Sequence, residues 1–260
     1  MTMKFALGLA AATMLGHAAV AETLTVGAYP ANPPWEYKNE QSAFEGFEVD
    51  LLNEIGERIG AEIEFEDLGF QALFAATASG RIDMAISTIT ITDERLQNQD
   101  FTQGYYDSDL ALIANREGAI SGLEDMAGKT VGVLSSSVAE AWVNANAEEI
   151  GFETVRGYTT QQNLLLDVRA QRLAGAVGDL AGYQYAFRQM PDLEILETIP
   201  TGDRFGIMLP KGSEHLERVN AAISDIKEDG TLAEIHEKWL GVAPAEGTST
   251  VTVLAVPTVD

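Results

Sequence analysis

The segment IEFEDLGFQALFAATASGRIDMAI, residues 63–86, contains the pattern that decides the fold. Residues 63–66 alternate between apolar and charged side chains, which is typical of a β-strand with one buried face. Residues 70–79 predict a helix that ends at Gly80, and residues 82–86 form a short apolar run typical of a buried strand. We therefore predict a β-α-β unit, in which a helix joins two parallel strands.

The same alternation of strands and helices continues on both sides of this segment. Toward the N-terminus the sequence predicts a strand at 24–27 and a helix within 44–60. A second run begins at Lys129, with predicted strands at 130–134, 154–155 and 174–177 and predicted helices at 138–149 and 161–170. Two such runs predict an α/β protein with two lobes, each built on a mostly parallel sheet.

Two apolar runs, 109–114 and 205–209, flank the second block and are interpreted as paired strands that cross between the lobes. This predicts a discontinuous first lobe, residues 22–112 plus 207–241, and a second lobe, residues 113–206. The two crossings would form a hinge, with a ligand cleft between the carboxyl ends of the two sheets. Residues 242–260 form a tail that is either disordered or a late edge strand.

The first 21 residues have the pattern of a secretory signal peptide. Lys4 precedes an apolar stretch at 5–15, and Ala19-Val20-Ala21 is a cleavage site of the small-x-small type. The alternative is a membrane anchor, but the stretch is too short to cross roughly 30 Å of hydrocarbon. No later segment has about 20 consecutive apolar residues. We therefore expect an exported, periplasmic protein without stable membrane insertion.

Composition excludes several classes of function. The 260 residues carry a net charge of −24, which disfavours binding to nucleic acid or to anionic lipid surfaces. With three His and no Cys, we expect no metal site, no cofactor and no thiol nucleophile. No G-x-S-x-G, P-loop, H-E-x-x-H or EF-hand motif is present, so the evidence for an enzyme is thin.

The segment STITITDER, residues 87–95, is the first candidate binding element because it follows a strand and opens a helix. Its hydroxyls and free N–H groups suit an anion, and Arg95 suits a carboxylate. The alternative is an ordinary helix cap with Arg95 paired to a neighbouring acid.

Two further strand ends carry polar candidates. The turn Ser135-Ser136-Ser137 again precedes a helix, although serine clusters are usually turns and caps. Asp179 follows a buried strand, where a carboxylate needs a cation; a ligand ammonium, an internal arginine or a capping role would each serve. Tyr29, Trp35 and Phe70 follow strand ends and are candidates for the wall of a pocket.

Several longer motifs together resemble the polar amino-acid-binding proteins of ABC uptake systems, solute-binding protein family 3. The resemblance extends from about Leu24 to Gly241 and is carried by residues 44–51, 80–85, 90–95, 101–106 and 230–239. It implies the type II periplasmic-binding-protein fold, in which two α/β lobes are joined by a two-strand hinge. It also implies a monomer that captures a free amino acid or a close derivative and delivers it to a membrane permease.

The resemblance assigns roles to individual positions. Arg95 would hold the α-carboxylate, with help from Thr90 and from donors at Ser87 and Thr88; Asp179 would hold the α-ammonium. Phe70 would stack on the ligand side chain, with Tyr29 or Trp35 on its other face. In the second lobe, Ser136, Ser137 and Val138 would add donors as the lobes close.

Two positions depart from the family pattern, since Asn32 replaces an aromatic residue and Ser136 replaces a glycine. Both lie at the end of the pocket that sets specificity.

Two alternatives remain on the sequence alone. Exported cyclohexadienyl dehydratases resemble the same fold and need a general acid against the leaving group of the substrate. A sensor or enzyme module of a larger membrane protein conflicts with the lack of a transmembrane segment.

Overall fold

A computed structural model describes residues 22–259 of the chain, so the predicted signal peptide at 1–21 lies outside the described residues. Thirteen strands are assigned within this range: β1 Glu22–Ala28, β2 Ala31–Asn32, β3 Glu36–Lys38, β4 Phe44–Glu45, β5 Ala61–Asp67, β6 Met84–Ile86, β7 Gln99–Phe101, β8 Tyr106–Asn115, β9 Thr130–Leu134, β10 Thr154–Tyr158, β11 Gly175–Asp179, β12 Leu193–Phe205 and β13 Met208–Pro210. The helices are α1 Phe47–Ile59, α2 Phe70–Ala78, α3 Asp93–Leu96, α4 Val138–Ala145, α5 Ala147–Ile150, α6 Gln161–Arg169, α7 Leu180–Ala186, α8 Leu216–Glu228 and α9 Thr231–Leu240, with a 3-10 turn at Leu123–Met126.

Two five-stranded sheets form the frame of the molecule. The first has the order β5-β1-β6-β13-β7 and the second the order β10-β9-β11-β8-β12. In the first sheet β5, β1 and β6 are parallel, and β13 runs antiparallel to β6. In the second sheet β10, β9 and β11 are parallel, and β8 runs antiparallel to β11. The β-α-β unit predicted from residues 63–86 is confirmed, because β5 and β6 both pair in parallel with β1 and α2 lies between them in the chain.

The chain crosses between the sheets twice, through a two-stranded antiparallel ribbon. Tyr106 pairs with Phe205, Asp107 with Arg204, and Ser108 with Asp203, and the two strands then continue into the second sheet. The outgoing strand β8 lies beside β11 in the second sheet. After the chain returns along β12, the next strand, β13, lies beside β6 in the first sheet. The predicted lobe boundary at residue 112 falls inside β8, and the one at 207 falls two residues after β12.

Each sheet is covered by helices on both faces. On one face of the first sheet, α1, α8 and α9 enclose an apolar core around Leu24, Val26 and Ile223. On its other face, α2 packs Phe70 and Leu73 against the sheet. The second sheet is covered in the same way by α4 on one side and α6 on the other. This two-sided burial explains why β6 and β9 are apolar runs rather than alternating strands.

Some elements differ from the sequence prediction. The helix predicted over 138–149 is broken at Asn146, whose side-chain amide donates to the Trp142 carbonyl and ends α4. The small sheet β2-β3-β4 and the long strand β12 were not predicted. The pairing of β12 with β8 shifts register twice, so apolar and polar residues do not alternate regularly along residues 193–205.

The tail is neither a helix nor a strand, and it packs against the first lobe. Ser249 and Thr250 are buried; Ser249 caps the Asp107 carboxylate, and Thr250 donates to the Tyr105 carbonyl. The buried ammonium of Lys227 on α8 donates to Gln103 Oε1, the Gly104 carbonyl and the Thr252 carbonyl at 2.6–2.9 Å. The tail therefore completes the surroundings of a buried charge next to the hinge.

Within residues 22–259, no helix combines the length and the apolar character needed to cross a bilayer.

Gly46 caps the N-terminus of α1 with φ 141°, a backbone conformation that essentially only glycine adopts. A Cβ atom built there would lie 2.1 Å from the Trp35 carbonyl oxygen. We expect Gly46→Ala to lower the free energy of unfolding by about 1–3 kcal/mol, measured by urea denaturation. The matched control is Gly69→Ala at the N-cap of α2, where φ is −64° and no atom lies within 4 Å of the new Cβ. An equal loss in both variants would contradict this account.

A chain that ends at Val242 should also be less stable, because Lys227 loses one acceptor and Gln103 loses the Leu254 N–H bond. We expect a loss of roughly 1–3 kcal/mol in the same denaturation experiment. A chain that ends at Pro257 retains these contacts and should match the full chain. Equal stability of all three chains would show that the tail contacts are dispensable.

Candidate ligand-binding site

A cavity lies between the two lobes, at the carboxyl ends of the parallel strands. Its volume is about 70 Å³, which is room for roughly five water molecules. The walls come from the ends of β1, β6, β9 and β11, from the loop that follows β6, and from the hinge ribbon. The cleft expected from the strand order is therefore present, and its position is set by the two sheets.

Nine of the eleven predicted site residues line this cavity: Tyr29, Phe70, Ser87, Thr88, Thr90, Arg95, Ser137, Val138 and Asp179. The two others, Trp35 and Ser136, do not.

Trp35 belongs to the core of the first lobe. Its side chain is fully buried, and its ring packs edge-on against Phe47, Tyr106 and Phe205 at centroid distances of 4.6–5.9 Å. Trp35 was predicted to line a pocket, but it precedes the apolar helix α1, and its ring fills the space between α1 and the hinge. We therefore withdraw Trp35 from the candidate ligand contacts.

Arg95 links the two lobes across the mouth of the cavity. Its guanidinium donates to the Thr90 carbonyl at 2.7 Å and, from the other lobe, to the Ser136 carbonyl at 3.0 Å. It also lies over the ring of Phe74, 4.8 Å from the centroid. Burial lowers the pKa of Arg95 to about 10, so the side chain stays charged at neutral pH. Ser136 thus contributes its backbone oxygen to lobe closure and not a hydroxyl to the cavity.

The N-terminus of α4 faces the cavity from the second lobe. The Ser137 hydroxyl caps this helix, accepting from the Glu140 N–H and donating to the Leu134 carbonyl. Val138 and Ala139, which also line the cavity, hold the first N–H groups of the helix, and these have no intrahelical acceptor. The second-lobe donors are therefore backbone N–H groups at a positive helix end, which suits an anion.

Asp179 ends β11 and caps α7. One carboxylate oxygen accepts from the Gly182 N–H at 2.6 Å, and the other accepts from the Ser108 hydroxyl. Burial nevertheless raises the pKa of Asp179 to about 6, because these bonds compensate only part of the lost hydration. The capping role left open by the sequence is present, and the same carboxylate also lines the cavity.

The polar groups of the 87–90 loop bond mostly within the first lobe. Ser87 donates its hydroxyl to Glu36, and the Thr88 N–H donates to Glu48 at 2.8 Å. Thr88 also lines the cavity, and its hydroxyl oxygen accepts from Asn32. The side chain of Ser87 therefore has a structural partner other than a ligand.

Sequence reasoning missed several polar residues of the wall, among them Asn32, Ser108, Asp109, Gln161 and Asp203. Asn32 was noticed only as a departure from the family pattern. Ser108 and Asp203 sit opposite each other in the hinge ribbon, a pairing that a single sequence does not reveal. Gln161 starts α6 directly after its cap Thr160, a position that a helix-start pattern does indicate.

The cavity combines a permanent cation, donors at a helix end and three aspartates, of which Asp179 ends a strand of the second lobe, with the aromatic rings of Tyr29 and Phe70 beside them. This arrangement suits a small zwitterion with an attached side chain, because each of its charges meets an opposite one away from water. No cluster of potential metal ligands occurs among residues 22–259.

Comparisons with known proteins agree with this geometry. The L-cystine-binding protein TcyJ of Escherichia coli K12 is 30% identical over 223 residues, which cover 84% of this chain and 83% of that protein. The L-arginine-binding protein of Pseudomonas aeruginosa PAO1 is 31% identical over 229 residues, which cover 82% of this chain and 86% of that protein. Both relatives are named as binding proteins, so they favour binding over the dehydratase alternative.

Among solved structures, an ancestral arginine-binding protein bound to arginine superposes with a TM-score of 0.79 at 33% identity, covering 84% of this chain and 97% of that one. The model of the bacterial extracellular solute-binding proteins, family 3, matches residues 24–242. This chain therefore belongs to family 3 of the bacterial extracellular solute-binding proteins, with the type II periplasmic-binding-protein fold, and is a binding protein rather than an enzyme.

Proposed function

We propose that this protein captures a free amino acid, or a close derivative, in the cavity between its lobes and delivers it to an ABC transporter permease. The observation that carries the proposal is the pair of opposite charges that line one cavity, Arg95 from the first lobe and Asp179 from the second. Two relatives are named as cystine-binding and arginine-binding proteins, which supports an amino acid as the ligand.

In this proposal the α-carboxylate is held by Arg95 and by the first N–H groups of α4, at Val138 and Ala139. The α-ammonium is held by Asp179, and the side chain extends between Tyr29 and Phe70. The ligand bridges both lobes and therefore stabilises the closed form more than the open one. The permease would then recognise the closed surface.

The proposed location is the periplasm, reached after removal of residues 1–21. We further propose that the protein is a monomer and that its contact with the permease is transient. The −24 net charge leaves capture of a zwitterion nearly unaffected, since a molecule without net charge is neither steered nor repelled strongly.

A thermal-shift screen tests the proposal. The chain starting at Glu22 is unfolded and refolded to remove bound ligand, then mixed with each common amino acid, cystine and ornithine. A ligand at 100 times its Kd should stabilise by about 2.7 kcal/mol, which raises the melting temperature by roughly 5–10 °C. A panel without any shift at millimolar concentration would refute amino-acid binding.

Arg95→Ala should weaken the best ligand of that screen at least about 30-fold, because a desolvated carboxylate would lose its charged partner. Calorimetric titration gives the Kd of each variant. The control is Arg81→Ala, which removes an exposed arginine of the same lobe that pairs with Glu66 outside the cavity. Unchanged affinity in Arg95→Ala would exclude the carboxylate role.

Binding should also weaken in acid through Asp179. The ligand ammonium requires the ionised carboxylate, and the raised pKa of about 6 means that protonation begins just below neutral pH. The Kd should therefore rise about tenfold between pH 7 and pH 5. Asp179→Asn should bind more weakly at pH 7 and lose this dependence; the same slope in both proteins would assign the titration to another group.

A further inference from the structure

Two carboxyl groups, those of Glu36 and Glu48, are fully buried directly behind the cavity wall. Glu36 begins β3 and Glu48 lies in the first turn of α1, and each has 0% of its surface exposed. Neither forms an ion pair with a lysine or arginine in the part of the chain that the structure describes. Two unpaired negative charges at this depth would be very costly, so the pair must hold a proton.

The surroundings of the two carboxyl groups favour the proton on Glu36. Glu48 Oε1 accepts from the Thr88 N–H and the Tyr105 hydroxyl, while Oε2 has no hydrogen-bond donor among residues 22–259 and needs one. Glu36 accepts from the Ser87 hydroxyl and Glu48 from the N–H of the next residue, Thr88, so the two carboxyl groups lie close together. Burial and the nearby Glu48 charge raise the pKa of Glu36 well above its usual value. A protonated Glu36 that donates to Glu48 Oε2 satisfies both groups.

With its proton directed at Glu48, Glu36 presents acceptors to its other neighbours. Ser87 donates its hydroxyl to Glu36 Oε1, and the Asn32 side-chain nitrogen lies 3.3 Å from Oε1 and 3.2 Å from Oε2. The same nitrogen lies 3.3 Å from the Thr88 hydroxyl oxygen. An amide has two N–H groups, so one is directed to Glu36 and the other to Thr88.

This accounting leaves one free polar atom on Asn32, the carbonyl oxygen Oδ1. Asn32 is half-buried and lines the cavity beside Tyr29, Phe70 and Thr88. A flipped amide would place Oδ1 against carboxyl oxygens that offer it no proton. The orientation is therefore fixed from behind, and Asn32 offers the cavity an acceptor.

We propose that Glu36 is a positioning residue: held by Glu48, it fixes the Asn32 amide so that its carbonyl oxygen faces the ligand side chain. The site then favours amino acids whose side chain ends in a hydrogen-bond donor over ligands of the same size without one. This inference rests on the proposed function and specifies the side-chain end of the same cavity. A ligand without a donor leaves Oδ1 buried and unpaired, which binding sites reject strongly.

Matched ligands measure this preference directly. L-Glutamine is compared with L-glutamate and L-methionine, and L-lysine with L-norleucine, by calorimetric titration of the refolded chain. We expect at least one donor-bearing ligand to bind about tenfold or more tightly than its matched ligand. Equal affinities within both sets would overturn the inference, whereas absence of binding by any amino acid would overturn the proposed function instead.

Three variants separate positioning from simple support of the fold. Asn32→Leu removes the acceptor at similar size. The ratio of the affinity for the donor-bearing ligand to that for its matched ligand should then fall to about one. Glu36→Leu releases the amide, and the ratio should fall in the same way.

Glu36→Gln should keep the wild-type ratio, because its amide donates to Glu48 and its carbonyl accepts from Asn32, as the protonated acid does. Melting temperatures identify any variant that fails to fold. If Glu36→Leu does not fold, the other two still decide the question. Loss of the preference in Glu36→Gln, or its retention in Asn32→Leu, would overturn the proposal.

Discussion

The double crossing between the lobes is the constraint on which the rest of the structure depends. The second sheet is built from one continuous segment, β8 to β12, whereas the first sheet is completed only by β13, which follows the return crossing. The crossings also fix where the carboxyl ends of both parallel sets meet. The cavity is a consequence of this topology, and the ribbon between Tyr106–Ser108 and Asp203–Phe205 is the segment about which the lobes would move.

Much of this architecture was predictable from sequence because strand and helix periodicity is local. Residues 63–86, 130–134 and 161–169 fold as predicted, and the two apolar crossovers lie close to their predicted places. Non-local pairings were not predictable. Nothing within residues 193–205 indicates a 13-residue strand, since its partner is the distant β8 and its register shifts twice. The tail was ambiguous for the same reason: its partners, Asp107 and Lys227, are far away in sequence.

The candidate site shows the same division. Arg95 and Asp179 were predicted as candidates because strand ends and helix starts are visible locally, and both line the cavity. Trp35 was misassigned because an aromatic residue after a strand has the same local pattern in a core as in a pocket. Glu36 and Glu48 passed unnoticed among 40 acidic residues, since only the fold reveals that these two are buried and adjacent.

The charges of the cavity also explain how ligand binding and lobe closure would be coupled. In the closed form burial lowers the pKa of Arg95 to about 10 and raises that of Asp179 to about 6, so each charge is disfavoured there. Arg95 offsets part of this cost through two backbone carbonyls, one from each lobe. A zwitterion would supply each charge with an opposite partner in the closed form, whereas water already solvates both in an open cleft. In the proposed binding mode, the differential affinity that closure requires would therefore come from these two side chains together with the first N–H groups of α4, and the aromatic wall and Asn32 would discriminate among ligands.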